Sequence, residues 1–481
     1  MTIKTISELK SADVLISAFI KTDELEEQLS SKGFEWAVDS FAAEKGESLV
    51  FLKESRQLKQ VLLGLGKNAK NADVLFVFRQ FFAAQKTKLK GKIVLDLRGL
   101  EGYAEFVANG TLLASYNIGL LKTREKEEES VFNKGSELFI WVDEDKEKLA
   151  KLAVKKGLET AETQMNVMAL ADAPSSHKSP DFVAKYIKKS GKKNGFEVQV
   201  YDEKACAEMG FHALLAVGRG SVDRPPRMVV MEYKGKKAKK KVGLVGKGVT
   251  FDTGGISLKP GSGMEDMKHD MGGSVAVIGA MELAAKLKLD VHLVGIVALT
   301  ENCIDGLAIK PGDVIQSYSG KTIEVINTDA EGRLILSDAI HYMAKEFEPE
   351  VMIDLATLTG SCIRTLGHKA AGLMTNNDVL ALSLEKAGME TGEKLWRLPL
   401  WDDYRAELDS DVADIKNLGS AYAGATTAGK FLEFFTDGHA NWAHLDIAGT
   451  AFMKTAFAKQ TSATAYGVRL LTQFVENYIE E

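Results

Sequence analysis

Acidic residues recur in this sequence just after short apolar runs, and they come with glycine and lysine. The run Val242–Val245 leads into residues 246–255, where four glycines in ten positions surround Lys247 and Asp252, and Lys259 and Pro260 follow. A second segment, residues 267–273, carries Met267, His269 and Asp270. A third, residues 327–334, follows the run Ile323–Ile326 and holds Asp329, Glu331 and Arg333. Glycine permits backbone angles and close approaches that other residues do not, so the first loop suits ligand contact better than stability. It lacks the Gly-x-x-x-x-Gly-Lys-Ser/Thr order of a phosphate loop, and it places Asp252 where a phosphate would be repelled.

Gathered at one sheet edge, Asp252, Asp270, Asp329 and Glu331 would repel one another until several protonated, unless divalent cations joined them. An acid-rich, histidine-poor set suits hard or borderline metals: Mg²⁺, Mn²⁺, or Zn²⁺ with oxygen ligands. Any one of these acids alone is better explained by a loop end or a helix N-terminus; their recurrence is what points to a site. Two ions about 3.5–4 Å apart would activate a water and polarise the bond to be cut. Lys247, Lys259 and Arg333 then serve either as salt-bridge partners or as stabilisers of an oxyanion. His269 adjoins Asp270, and neighbours in a regular segment point different ways, so it is not expected to be a ligand. There is no Gly-x-Ser-x-Gly elbow and no cysteine in a recognisable catalytic setting, which leaves water as the expected nucleophile.

The elements that must position these residues read as two α/β parts. In residues 1–150, strand candidates at Val14–Phe19, Ser48–Leu52, Val61–Leu63, Lys92–Leu97 and Glu137–Val142 alternate with helical stretches such as Leu100–Asn109. That alternation predicts a smaller domain with a largely parallel sheet. Gly64-Leu65-Gly66 reads as a plain turn. Residues 151–175, charged and closed by Pro174, read as a linker helix. Residues 176–481 read as the larger α/β domain, with a mixed central sheet built from Val242–Val245, Val291–Leu299, Ile323–Ile326, Val351–Leu355 and Trp442–Ile447. Leu336, Ile340, Met343 and Phe347 fall on one helical face. Ligands of such sheets bind beyond the carboxyl ends of the strands, where the acid-bearing loops lie. The run Lys234–Lys241, with six lysines, reads as the solvated tip of a hairpin.

Composition narrows the partners. Apolar residues make up 45% and charged residues 27% of 481, the balance of an ordinary globular protein. A net charge of −6 gives no general attraction to nucleic acid or anionic membranes. No stretch approaches the ~20 apolar residues of a membrane helix, and the first residues lack a secretory pattern. Three cysteines, far apart and odd in number, fit a reducing cytoplasm.

The segment Asn327–Leu334, NTDAEGRL, resembles the signature of the leucyl (cytosol) aminopeptidase family. The resemblance extends to residues 246–260, 267–273, 356–360 and 442–451, in order and spacing, and so covers nearly all of 180–481. It implies a peptidase that removes N-terminal residues, Leu and Met favoured, through a water bridged by two metal ions. One ion would be held by Lys247, Asp252, Asp270 and Glu331, the other by Asp252, Asp329 and Glu331. Lys259 would steady the oxyanion, and Arg333 would hold a bicarbonate acting as general base. By the same resemblance Met267, Asp270, Thr357, Gly360, Ala448 and Ala451 would bind the substrate. The N-terminal domain would be macro-like and the assembly a homohexamer. Departures stand at Ser274 and Val275, where the family has alanines, at residues 175–179, which lack the usual Asn and Thr, and at Arg364. Two readings compete: a DNA-binding regulator served by the lysine run, against which the net charge counts, and an inactive relative, against which the full set of five ligand residues counts. A dimetal phosphatase or nuclease would need histidine spacing that the eight histidines do not show.

Overall fold

The computed structural model describes residues 1–53, 58–119, 121–123, 130–133 and 136–480. They divide into two compact units, Met1–Met165 and Asn166–Glu481.

The first unit carries β1 (Thr2–Ile6), β2 (Val14–Phe19), α1 (Leu25–Ser31), β3 (Ser48–Lys53), β4 (Leu58–Gly64), α2 (Asn71–Gln85), β5 (Ile93–Asp96), α3 (Ala104–Leu113) and β6 (Glu137–Trp141). Its sheet runs β1-β6-β5-β2-β4-β3, parallel except for the edge pair β3–β4. β2, β4 and β5 match the expected runs. β1 does not appear among the expected strands: five residues with lysine and threonine interleaved make too short an apolar signal. Helix α4 (Glu147–Asp172) runs from the first unit into the second in sequence.

The second unit is built on an eight-stranded mixed sheet. Its strands are β7 (Glu197–Tyr201), β8 (Arg227–Lys234), β9 (Lys241–Asp252), β10 (His292–Asn302), β13 (Val351–Ala356), β14 (Ala371–Thr375), β15 (Leu395–Arg397) and β17 (Trp442–Asp446), in the order β15-β14-β17-β13-β9-β10-β8-β7. The four central strands, β17, β13, β9 and β10, are mutually parallel and end on the same edge. Packed on them are α5 (Pro180–Asn194), α7 (His212–Gly218), α8 (Gly272–Leu287) and α9 (Glu331–Tyr342), while α6 (Glu203–Met209) packs on β7 and β8. Small sheets join β11 (Val314–Gln316), β12 (Thr322–Glu324) and β16 (Ile415–Lys416), and β18 (Phe452–Lys454) with β19 (Thr461–Ala463). Val242, Leu244, Val245, Leu293, Ile296, Val297, Ile353 and Leu355 are buried at 0%, so the central strands read as continuous apolar runs.

Three expectations are corrected. β9 does not stop at Val245 but continues through the glycine-rich stretch to Asp252, so Lys247 and Asp252 stand on a strand; β13 pairs with it as far as Gly246, and β10 carries it on past Gly248 to Asp252. The Ile323–Ile326 run yields only the short β12, and it lies in the three-stranded sheet rather than the central one. The lysine run is not a hairpin tip: β8 and β9 both pair with β10, which lies between them, so residues 235–240 cross over its start. Lys240 and Lys241 are spent there, donating to the carbonyls of Tyr478 and Phe347.

The departures near residues 175–179 leave the local fold intact. Ser179 caps α5 by accepting from the Phe182 amide, Pro180 takes the first helical turn, and Gly195 closes the helix at φ 88°.

Candidate metal centre

The carboxyl edge of the central strands gathers the acids. Lys247 and Asp252 come from β9; Asp270 lies just before α8; Glu331 opens α9, where the helix dipole favours a negative charge. Asp329 sits two residues earlier. Lys247, Asp252, Asp270 and Glu331 are all less than 7% exposed, while Asp329 and Lys259 are partly open.

Close approach makes the arrangement fit. A side chain on Gly332 would put its Cβ 2.7 Å from Cε of Lys247, so the lysine crosses α9 only because this residue is glycine. Gly254 has φ 88°, and a Cβ there would stand 2.9 Å from an Asp329 carboxylate oxygen.

The loops are tied by polar side chains, of which motif reading passed over Asn302 and Asn417. Asn302 donates to Oδ1 of Asp252 at 2.8 Å and to the carbonyl of Thr328 at 3.0 Å. Thr328 donates to the Gly254 carbonyl and accepts from the Ser257 amide. Asn417 accepts from the Ile326 amide and donates to the Asn327 carbonyl, both at 2.8 Å. Thr357 donates to Oδ1 of Asp270 at 2.6 Å.

Electrostatically the centre has more acid than base. Nζ of Lys247 lies 2.8 Å from both Asp270 and Glu331 and donates to the Thr357 carbonyl at 2.9 Å. Lys259 lies 2.8 Å from Asp252 and pairs with Asp329. Burial pushes the Asp270 carboxyl up to about 8, against the pull of Lys247, and raises Asp252 and Asp329 too. Burial opposes the charge on Lys247, but Asp270, Glu331 and Asp252 outweigh it and hold its pKa above the ordinary lysine range.

These residues fit divalent cations. Asp252, Asp329 and Glu331 each offer an oxygen, all within 4.8 Å of one another. Oδ2 of Asp270, Oδ1 of Asp329 and Oε1 of Glu331 are buried with no properly directed hydrogen bond, even where an ammonium stands close. Cations bound among these carboxylates would offset the burial of their charge. Arg333 fits an anion: it is 4% exposed, its Nε and Nη1 have no acceptor, and burial lowers its pKa to about 10.

The centre forms the floor of a cavity of about 340 Å³. Met267, Thr357, Gly360 and Ala448 line it, together with Met264, Ile363 and Phe452, which sequence reasoning did not single out. Ala451 is not among the lining residues; its methyl faces Gly272. Neither is Arg333, which is buried. Ser274 turns its hydroxyl onto the Met271 carbonyl, Val275 is buried in α8, and Arg364 is exposed.

Comparison with known proteins agrees with the chemistry of this site. The catalytic domain of the cytosol aminopeptidase family matches residues 166–472. A probable cytosol aminopeptidase of Chlorobaculum tepidum is 41% identical over 98% of each chain. Another, from a Geobacter species, is 46% identical over 77% of this chain and 75% of its own. Among solved structures, the bottromycin maturation enzyme BotP superposes with a TM-score of 0.84 at 30% identity, covering 98% of this chain and all of its own. A structure of BotP in complex with Mn gives the same TM-score.

Proposed function

The chain belongs to the cytosol aminopeptidase family, metal-dependent hydrolases of N-terminal residues, and from that premise we propose that it releases Leu, Met and other apolar first residues from peptides with two divalent ions. The observation that carries the two-ion reading is the excess of acid in the centre: Asp252, Asp270, Asp329 and Glu331 share the two ammonium groups of Lys247 and Lys259, and three of these carboxylates bring oxygens within 4.8 Å of one another. Mn²⁺ and Zn²⁺ are the proposed ions, Mn²⁺ having been seen with BotP, and Mg²⁺ is a further candidate. Lys247, Asp252, Asp270 and Glu331 would hold one ion; Asp252, Asp329 and Glu331 would hold the other. Such ions supply a water of lowered pKa and a polarised carbonyl. Lys247 would serve as a neutral amine, since cation charge among the same carboxylates removes the demand for its proton.

The chain's own groups do the rest. Asp270 accepts from the free α-amine of the peptide, so a blocked N-terminus is excluded. Lys259, on the open side of the cluster, donates to the scissile carbonyl oxygen as negative charge develops there. Arg333, with two free buried donors, holds a bicarbonate, which supplies a general base. The cavity wall of Met267, Thr357, Gly360 and Ala448 carries no charge. A buried Leu or Met gains about 1.5–3 kcal/mol there, whereas Asp or Glu loses hydration without a partner. Apolar walls discriminate weakly, so specificity is broad. A macro-like domain in residues 1–150, a linker over 151–175, a cytoplasmic setting and assembly as a homohexamer complete the proposal.

Leu-p-nitroanilide tests it. The protein hydrolyses this substrate, loses the activity to a chelator, regains it with Mn²⁺ or Zn²⁺, and leaves the N-acetylated analogue intact. Chelator-resistant hydrolysis, or equal hydrolysis of the acetylated substrate, would refute the reading.

A further inference from the structure

His269 was set aside as a ligand, and its surroundings give it another use. It is 1% exposed. Its Nε2 lies 2.8 Å from Oδ1 of Asp172, and its Nδ1 lies 3.0 Å from the Asp266 carbonyl. Asp172, at the end of α4, also accepts from the Ala463 amide and the Ser462 hydroxyl, both at 2.8 Å. Thr461 donates to the Asp266 carboxylate at 2.9 Å. The His269 ring stacks on Phe452 with centroids 5.2 Å apart and planes 19° apart. Lys178, also buried, donates to the carbonyls of Ala171 and Lys268, both at 2.7 Å.

Each of these bonds ends on the turn of residues 264–270 or on what braces it. That turn presents Met264, Met267 and Asp270 to the cavity, and Phe452 faces the same cavity. Two turns of 3₁₀ helix carry too few backbone bonds to hold their side chains to a fraction of an ångström. Long-range bonds to a buried carboxylate do that better, because a buried, fully bonded network admits one arrangement.

We propose that His269 and Asp172 form a positioning pair that sets the Met267–Phe452 wall and thereby the preference for a large first side chain. The inference rests on the aminopeptidase reading. His269 touches no substrate; it acts through the wall. Loosening the wall removes contacts from a Leu side chain, whereas Gly has no side chain to lose them. Damage to Asp270, to the metals or to general stability would slow both substrates alike. The ratio of kcat/KM for Leu- and Gly-p-nitroanilide therefore separates the two effects.

Two amides at position 269 supply the test. His269→Gln keeps a donor where Nε2 stands and so keeps the bond to Asp172. His269→Asn keeps the bond to Asp266 but falls short of Asp172. The Leu-to-Gly ratio falls about fivefold in His269→Asn and stays within about twofold of wild type in His269→Gln. A ratio unchanged in His269→Asn, or lowered equally in both, overturns the pairing. If His269→Asn does not fold, Ser462→Ala, which strips one support from Asp172, must lower the ratio, and an unchanged ratio there overturns it too. Wild-type protein that cleaves neither substrate overturns the aminopeptidase reading, and the pairing with it.

Discussion

At the scale of the residue, the centre is governed by an excess of carboxylate over ammonium. Asp329 is the sharpest probe because it is the most open of the four acids and pairs with the partly open Lys259 rather than the buried Lys247. Asp329→Asn keeps the shape and removes one negative ligand. Its kcat/KM on Leu-p-nitroanilide should fall by more than the ~10–100-fold typical of partners one step further from a metal, with the circular dichroism spectrum unchanged. Near-normal activity in saturating Mn²⁺ would contradict the ligand role. That the acids and Lys259 come together was legible from their recurrence near glycine-rich loops; the structure gathers them at one cavity, whose lining does not include Arg333. Asn302 and Asn417 were not legible, since a neutral amide in a loop looks like any other until the fold shows which carbonyl and carboxylate it joins. Ala448 and Ala451 show a similar limit: both are small and close in sequence, and only the backbone path decides which one faces the cavity.

At the scale of the element, strand β9 and helix α9 must approach closely enough for Lys247 to cross. Gly332→Ala puts the two kinds of effect in opposition. Alanine is the better helix former by about 1 kcal/mol, so α9 itself gains. The new methyl, however, meets the Lys247 side chain at 2.7 Å and must displace it. Activity should fall about tenfold or more, since small misplacements at a reacting centre are costly, while the thermal midpoint changes little. Unchanged activity would show that Lys247 does not need this path. The same elements show what apolar periodicity conveys. It located the buried strands at Val14–Phe19, Val351–Ala356 and Trp442–Asp446, because parallel strands covered on both faces are apolar throughout. It ended β9 too early, because glycines signal a loop locally while pairing with the long strand β10 holds residues 247–252 extended. It read two strands around a lysine run as a hairpin, because pairing with an intervening strand leaves no mark in the sequence.

At the scale of the molecule, two α/β units and a metal-dependent peptidase domain follow from the fold and from the family, and no helix among the described residues is long and apolar enough to cross a membrane. Stability should carry the signature of one buried cation. Burial pushes Lys178 down to about 7, whereas an unfolded lysine titrates near 10.4. Between those values the unfolded chain holds a proton that the folded chain has released. Stability therefore rises with pH from about 7 to about 10, by at most ~1.4 kcal/mol per pH unit. Below 7 both forms are protonated and the slope vanishes. Lys178→Met removes the rise, and thermal midpoints of the two proteins at pH 7, 8 and 9 should diverge progressively; a constant difference would contradict it. The central claim is that two ions sit among these carboxylates and are needed together. Its most direct measurement is metal content against activity during reconstitution of stripped protein. The account predicts about two Mn²⁺ or Zn²⁺ per chain at full hydrolysis of Leu-p-nitroanilide. Full activity at one ion per chain, or in stripped protein, would contradict it.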